Sequence, residues 1–212
     1  KIPGRFRLVD LCITGKPSTE KFSIIPRVNF ELDLSPGYSL LYNNFSHHCR
    51  RNIETSAREK DELTIETDAA ELVELFRKNR GGSIRELKDI HYNRLVQLIN
   101  YCIRNKKGRI TGVREKGDRL IYGLFLLETD GNIIMLLVAN TSESREKRIG
   151  YFAVNELIKQ YSGTNSILDF EGSSIPSVAS FMESFGSRNV PYYRIYRNHL
   201  PWIIKGVKAL GH

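Results

Sequence analysis

Cysteine is scarce in this chain. Its three cysteines, Cys12, Cys49 and Cys102, lie far apart, and none falls in a CxxC pair. An odd, sparse set argues against a disulfide framework or a cysteine-ligated zinc, and for a reducing compartment. Histidines number five, and the His47-His48 pair beside Cys49 sits on a helical pattern, where adjacent side chains diverge. A bound metal is therefore not expected. No apolar run approaches the ~18 residues that a membrane-spanning helix needs. Neither internal repeats nor low-complexity segments stand out. Acidic residues stop at Glu183, while Arg188, Arg194, Arg197, Lys205 and Lys208 follow it.

What is present is an uneven positive charge, net +8. A second basic group, Arg50, Arg51, Arg58 and Lys60, falls on the first long helical pattern. Such an excess suits a phosphate-rich partner: a nucleotide cofactor, tRNA, a nucleotide-sugar or an anionic membrane surface. It also suits nothing more than solubility. The 212 residues are enough for one domain and part of another, and the hydrophobic fraction of 41% supports a packed core. The chain begins Lys1-Ile2-Pro3-Gly4 without a methionine, so further residues are expected upstream and a leader cannot be judged from this end.

Hydrophobic periodicity divides the chain into segments. Arg5–Ile13 alternates like a half-exposed strand, and Phe22–Leu34 holds two extended pieces around Pro26. Ser35-Pro36 predicts a helix start, with Leu40, Leu41, Phe45, Cys49, Ile53 and Ala57 on one face. A short strand over 63–67, a helix capped by Asp68 and a helix over Ile84–Arg104 follow. Then the texture changes: 109–115 and 118–128 read as a hairpin about Lys116-Gly117, with Leu124–Leu127 in a central strand. Asp130-Gly131 is the next turn.

The stretch from Asn132 to Ser187 organises the rest. Ile133–Ala139 reads as a strand buried on both faces, followed by a polar loop, Asn140–Arg148. Ile149, Phe152, Ala153, Leu157, Ile158 and Tyr161 recur at helical spacing until Gly163. A second short strand, Ile167–Glu171, precedes a helix that has Pro176 near its start. Strand, loop, helix, strand predicts a right-handed crossover between parallel strands. The polar loop supplies Asn140, Ser142, Ser144, Arg145, Lys147, Arg148 and Gly150 at a helix N-terminus, a place suited to an anion. Asp169 and Glu171, two apart, are expected on one side of the strand, at the end where open α/β sheets bind ligands. Each is a candidate amine binder or general base, or else a helix cap or ion-pair partner.

Helices, an antiparallel meander, a crossover helix and a last strand at 190–197 resemble the layout of the acyl-CoA N-acyltransferase (GNAT) fold. Leu168-Asp169-Phe170-Glu171-Gly172-Ser173-Ser174-Ile175-Pro176, with Phe181 and Phe185-Gly186, resembles the C-terminal signature of Fem-type proteins. Phe30–Leu34, Phe45-Ser46 and Arg50–Ile53 add to the likeness, which covers about Phe30 to Trp202. The resemblance implies an α/β fold with a mixed sheet. Residues 1–34 would be strands of an upstream GNAT-like domain and 35–212 the acyltransferase domain. It implies transfer of an acyl or aminoacyl group to an amine acceptor, a cell-wall precursor or small molecule, in the cytoplasm. The donor would be aminoacyl-tRNA or acyl-CoA, with no other cofactor, and peripheral membrane contact would be compatible. An ordinary acetyl-CoA enzyme and a non-catalytic module binding RNA or another anionic partner are the alternatives. The family's phosphate loop runs Arg/Gln-x-x-Gly-x-Gly/Ala; this chain has Lys147-Arg148-Ile149-Gly150-Tyr151-Phe152. Phe152, standing where a small residue belongs, is expected to crowd a coenzyme A pyrophosphate. By the same likeness Tyr192, Tyr193 and Tyr196 are general-acid candidates, Tyr193 first.

Overall fold

The computed structural model describes residues 2–18, 21–57, 62–64, 67–115, 118–173 and 175–201. The Lys116-Gly117 turn, the middle of the strand expected over 63–67, Arg58, Lys60, Ser174, Trp202, Lys205 and Lys208 lie outside the described residues. In chain order the strands are β1 (Leu8–Thr14), β2 (Ser23–Arg27), β3 (Phe30–Asp33), β4 (Glu62–Thr64), β5 (Gly108–Glu115), β6 (Arg119–Thr129), β7 (Asn132–Asn140), β8 (Ile167–Asp169), β9 (Arg188–Asn189) and β10 (Tyr192–Asn198). The helices are α1 (Tyr38–Asn44), α2 (His47–Ala57), α3 (Ala69–Lys78), α4 (Asp89–Arg104), α5 (Ser142–Glu146), α6 (Ile149–Tyr161) and α7 (Pro176–Glu183).

Seven strands form one mixed sheet in the order β4-β5-β6-β7-β8-β3-β9. Its neighbours are antiparallel except β7 and β8, which run parallel as expected. Alternation along β6 sends Leu124 and Leu126 to one face and Phe125 to the other, all with no exposed surface. The first face packs on α1, α2, α6 and α7 through Leu41, Cys49, Ile53, Val154, Ile158 and Met182. The second packs on α3 and α4 through Leu72, Tyr92 and Ile99. Full burial of a residue such as Ile158 is worth roughly 1.5–3 kcal/mol over leaving it exposed. These contacts therefore hold the crossover helix against the sheet.

The remaining strands form a separate antiparallel sheet, β1-β10-β2. Only Val9 and Ile195 of its apolar residues are buried; Leu11 and Ile25 stay exposed, so its apolar sides lack a full covering layer. β3, inside the 1–34 segment, belongs to the large sheet, and β10, inside the 35–212 segment, to the small one.

Several expected boundaries move. The helix expected from Ser35 to Ala57 is two helices, because tertiary contacts win at Phe45-Ser46. Phe45 is extended (ψ 142°), and its ring meets Phe185 edge-on at 5.3 Å. Ser46 N–H donates to the Ser184 carbonyl at 2.8 Å, while Ser46 Oγ accepts from Cys49 N–H at 3.1 Å and restarts the helix. The helix expected from Ile84 begins at Asp89, where His91 Nδ1 accepts from Lys88 N–H at 2.9 Å. Asp68 caps α3 as expected, accepting from Ala70 N–H at 3.1 Å. No helix among the described residues is long and apolar enough to cross a membrane.

Candidate functional site

The site begins where two parallel strands separate. β7 and β8 pair only over Asn132–Ile134 and Ile167–Asp169. Against β6, β7 carries a bulge that leaves Leu136 between the partnered residues Met135 and Leu137. Beyond Ile134, β7 has no strand partner on the β8 side among the described residues. Its second half is therefore not buried on both faces as expected: Leu136 is 43% and Val138 38% exposed.

β8 leaves because its backbone turns. The Asp169 carboxylate accepts from Glu171 N–H at 2.7 Å, and Glu171 takes a left-handed backbone with φ 57°. The strand therefore stops at Asp169, and Glu171 does not share its face as expected. Gly172 then lies directly against the Val28 carbonyl.

A cavity of about 820 Å³ opens at this separation, lined by Met135, Val138 and Asn140 of β7 and by Phe170 after β8. Tyr151, Val178, Phe181 and Met182 give it an apolar floor, with Tyr151 and Phe181 rings 4.8 Å apart. Lys78 and Arg80 border it from the end of α3, and Arg145 and Arg148 from the α5–α6 junction. No carboxylate lines it among the described residues.

The loop expected over Asn140–Arg148 is partly helical. Thr141 caps α5 by accepting from Ser144 N–H at 3.0 Å, and buried Ser144 donates back to the Thr141 carbonyl at 2.9 Å. Arg145 reaches Asn140 Oδ1 at 2.9 Å. Arg148 stands at the N-cap of α6 in a left-handed conformation (φ 60°), and its guanidinium donates to the Asn52 side-chain oxygen. Lys147 turns the other way, to Glu115 at 2.8 Å and Glu143 at 3.2 Å. Hydrogen bonds from Lys147 and then Arg119 hold the Glu115 carboxyl down at about 2.

Of the seven expected binding residues, Asn140, Ser142, Ser144, Arg145, Arg148 and Gly150 line the cavity. Lys147 does not, because two carboxylates on the outer face hold it. Phe152 does not line the cavity; it and Tyr151 both pack on the first hydrophobic core, and Tyr151 also lines the cavity. Asp169 and Glu171 sit just beyond the lining, on either side of Phe170, and Tyr193 is in the small sheet opposite Ile13 and Pro26. Lys78 and Arg80 were not anticipated; their only sequence signal is the basic cluster Arg77-Lys78-Asn79-Arg80. Tyr122 also lines the cavity from inside a strand that reads as plain core.

Next to the cavity, three carboxyls gather. Glu31 of β3 pairs across from Asp169, with Glu171 beyond. Burial, and then the Asp169 charge, raise the Glu31 and Glu171 carboxyls above their ordinary value. A raised folded value favours the protonated fold. The stability it contributes is complete below the ordinary 4.5 and is lost as pH rises through the folded value. Glu31→Gln should therefore stabilise the protein at neutral pH, by less than about 1 kcal/mol because solvent screens the group. The gain should shrink as pH falls toward 4.5. Thermal melts across pH check this; a less stable variant at neutral pH would contradict it.

No family model matches this sequence, and no curated protein does. The fold has solved counterparts. FemX shares 11% identity at a TM-score of 0.61, over 85% of this chain and 64% of that one. L-PGS from Bacillus licheniformis shares 10% at 0.53, over 88% and 65%. A GCN5-related glucosamine N-acetyltransferase region of a fungal multi-domain enzyme shares 13% at 0.51, over 82% and 21%. The chain thus spans slightly less than two thirds of FemX and of L-PGS. At such identities the likeness is one of fold, the GNAT fold that the GCN5-related neighbour's name prints.

Proposed function

We propose that this chain is an acyltransferase that moves an acyl or aminoacyl group from a phosphate-bearing donor, aminoacyl-tRNA, onto an amine. The cavity at the β7–β8 separation carries this reading: four cationic side chains border it, no carboxylate lines it among the described residues, and its floor is apolar. Cations from two separate elements suit the spaced phosphates of a polynucleotide, which side chains hold at a distance. The apolar floor suits the acyl end. The unpaired edge of β7 beyond Ile134 presents backbone groups to the oxyanion that forms when an amine attacks the carbonyl. Glu171, whose raised carboxyl suits proton uptake, is the proposed base, with Asp169 beside it on the acceptor side. The acceptor is an amine on a cell-wall precursor or a small molecule, and the donor entails a cytoplasmic location. The shared fold supports acyl transfer, since one neighbour of this fold is named a glucosamine N-acetyltransferase.

The expected result is salt-sensitive binding of labelled tRNA with weak or no binding of acetyl-CoA by calorimetry. Micromolar acetyl-CoA binding without tRNA binding would replace the donor by acyl-CoA; Phe152 is not among the residues that line the cavity. A second reading has one observation behind it: neither Asp169, Glu171 nor Tyr193 lines the cavity. On that reading the chain is a non-catalytic module that binds RNA. Incubating the protein with bulk aminoacyl-tRNA and a panel of amines decides, because only the enzyme forms amide product.

A further inference from the structure

We propose that the Tyr122 hydroxyl is a ligand-contacting group of the cavity, donating a hydrogen bond to the phosphate oxygen held at the first turn of α6. This inference rests on reading the cavity as an anion site. Tyr122 comes from β6, opposite Asn140, and is 3% exposed, yet it lines the cavity. Its ring lies against Gly150 in the first turn of α6: a Cβ built there would sit 3.4 Å from Cε2 and 3.6 Å from the hydroxyl. Glycine at 150 thus lets the phenol approach the helix start.

Tyr122 Oη has no hydrogen-bond partner among the described residues. The contrast within this chain is sharp. Tyr38 Oη donates to Asn155 Oδ1 at 2.8 Å, and Tyr161 Oη donates to the Glu128 carboxylate. Tyr122 Oη is not among the fully enclosed polar atoms left without a partner, so its open side is the cavity, and its hydrogen bond must come from there. Around it, Tyr151 N–H donates to the Arg148 carbonyl and Arg148 N–H to the Arg145 carbonyl, whereas the N–H groups of Ile149 and Gly150 have no acceptor among the described residues. Arg148 borders the same place. The helix start, its two N–H groups and a phenol thus converge, Arg148 lines the same cavity, and no carboxylate among the described residues lines it to oppose an anion. Burial raises the phenol, so it stays protonated and is a donor across the working pH range.

The test uses the whole chain, inorganic pyrophosphate as the probe and the substitution Tyr122→Phe, which keeps the ring. Calorimetry at low salt should show pyrophosphate affinity weakened about tenfold or more, the loss expected for a hydrogen bond to a charged group. Without ligand, the melting temperature should be unchanged or higher, because a hydroxyl lacking a protein partner is removed. Equal affinity in the two proteins would overturn the inference, and so would absence of pyrophosphate binding to the unaltered chain. A clear fall in melting temperature would overturn it too, since the hydroxyl would then have a structural partner. Failure of tRNA binding with pyrophosphate binding intact would instead remove the donor assignment and leave Tyr122 in place.

Discussion

Replacing Lys78, Arg80 and Arg145 together by alanine is expected to flatten the salt dependence of tRNA binding. The slope of log affinity against log salt should fall by about 0.7–0.9 for each phosphate that the variant no longer neutralises. Each such phosphate is worth about a threefold loss of affinity over a fourfold rise in salt, so three amount to more than tenfold. All three residues border the cavity, and the ties that hold them are weak ones: Lys78 to Glu74 at 3.4 Å on the surface, Arg145 to neutral Asn140. Arg148 is left intact because it satisfies Asn52, which is 1% exposed and would be left more poorly paired. Lys147→Ala is the control. Its charge is held on the outer face by Glu115 and Glu143, so its loss should leave the slope unchanged. Titrating labelled tRNA against the three proteins over a range of salt gives the answer. A slope that falls with Lys147 and not with the triple variant would move the anion site out of the cavity.

Among the described glycines, Gly172→Ala should be the most damaging single methyl addition. A Cβ at 172 would run into the Val28 carbonyl and lie 3.1 Å from Asn29 Cα, and backbone on both sides leaves nothing soft to yield. Overlap of this kind forces β8 and the segment before β3 apart, at the place where the chain leaves the sheet and the cavity begins. A loss of about 4 kcal/mol or more, or failure to fold, is expected. Gly4→Ala, with no atom within 4 Å of the added methyl, should leave the melting temperature unchanged. Chemical denaturation of both variants measures the difference, and a Gly172→Ala protein of ordinary stability would mean that β8 leaves the sheet by another route.

Much of the scaffold was legible in the residues. The meander, the crossover helix and the parallel β7–β8 pair follow from apolar runs, Gly and Asp-Gly turns and a helical period, all local signals. Six of the seven expected anion-site residues line the cavity, because a loop between a strand and its crossover helix can lie only at the sheet's open end. The break at Phe45-Ser46 was hidden: its cause is Phe185 and Ser184, about 140 residues away. The side on which Lys147 lies was hidden too, since Glu115, 32 positions upstream, takes it.

By itself, then, the sequence determined the main strands and helices, where charge accumulates, and that one parallel pair must exist, since periodicity and turn chemistry act over a few residues. Tertiary structure alone decided the site. It brought the end of α3 beside the start of α6, put Tyr151 rather than Phe152 on the cavity lining, and set Tyr122 of an apolar strand against Gly150. Such placements depend on how layers pack, because a helix face or a strand side becomes a lining only when two layers meet and one strand leaves the sheet early.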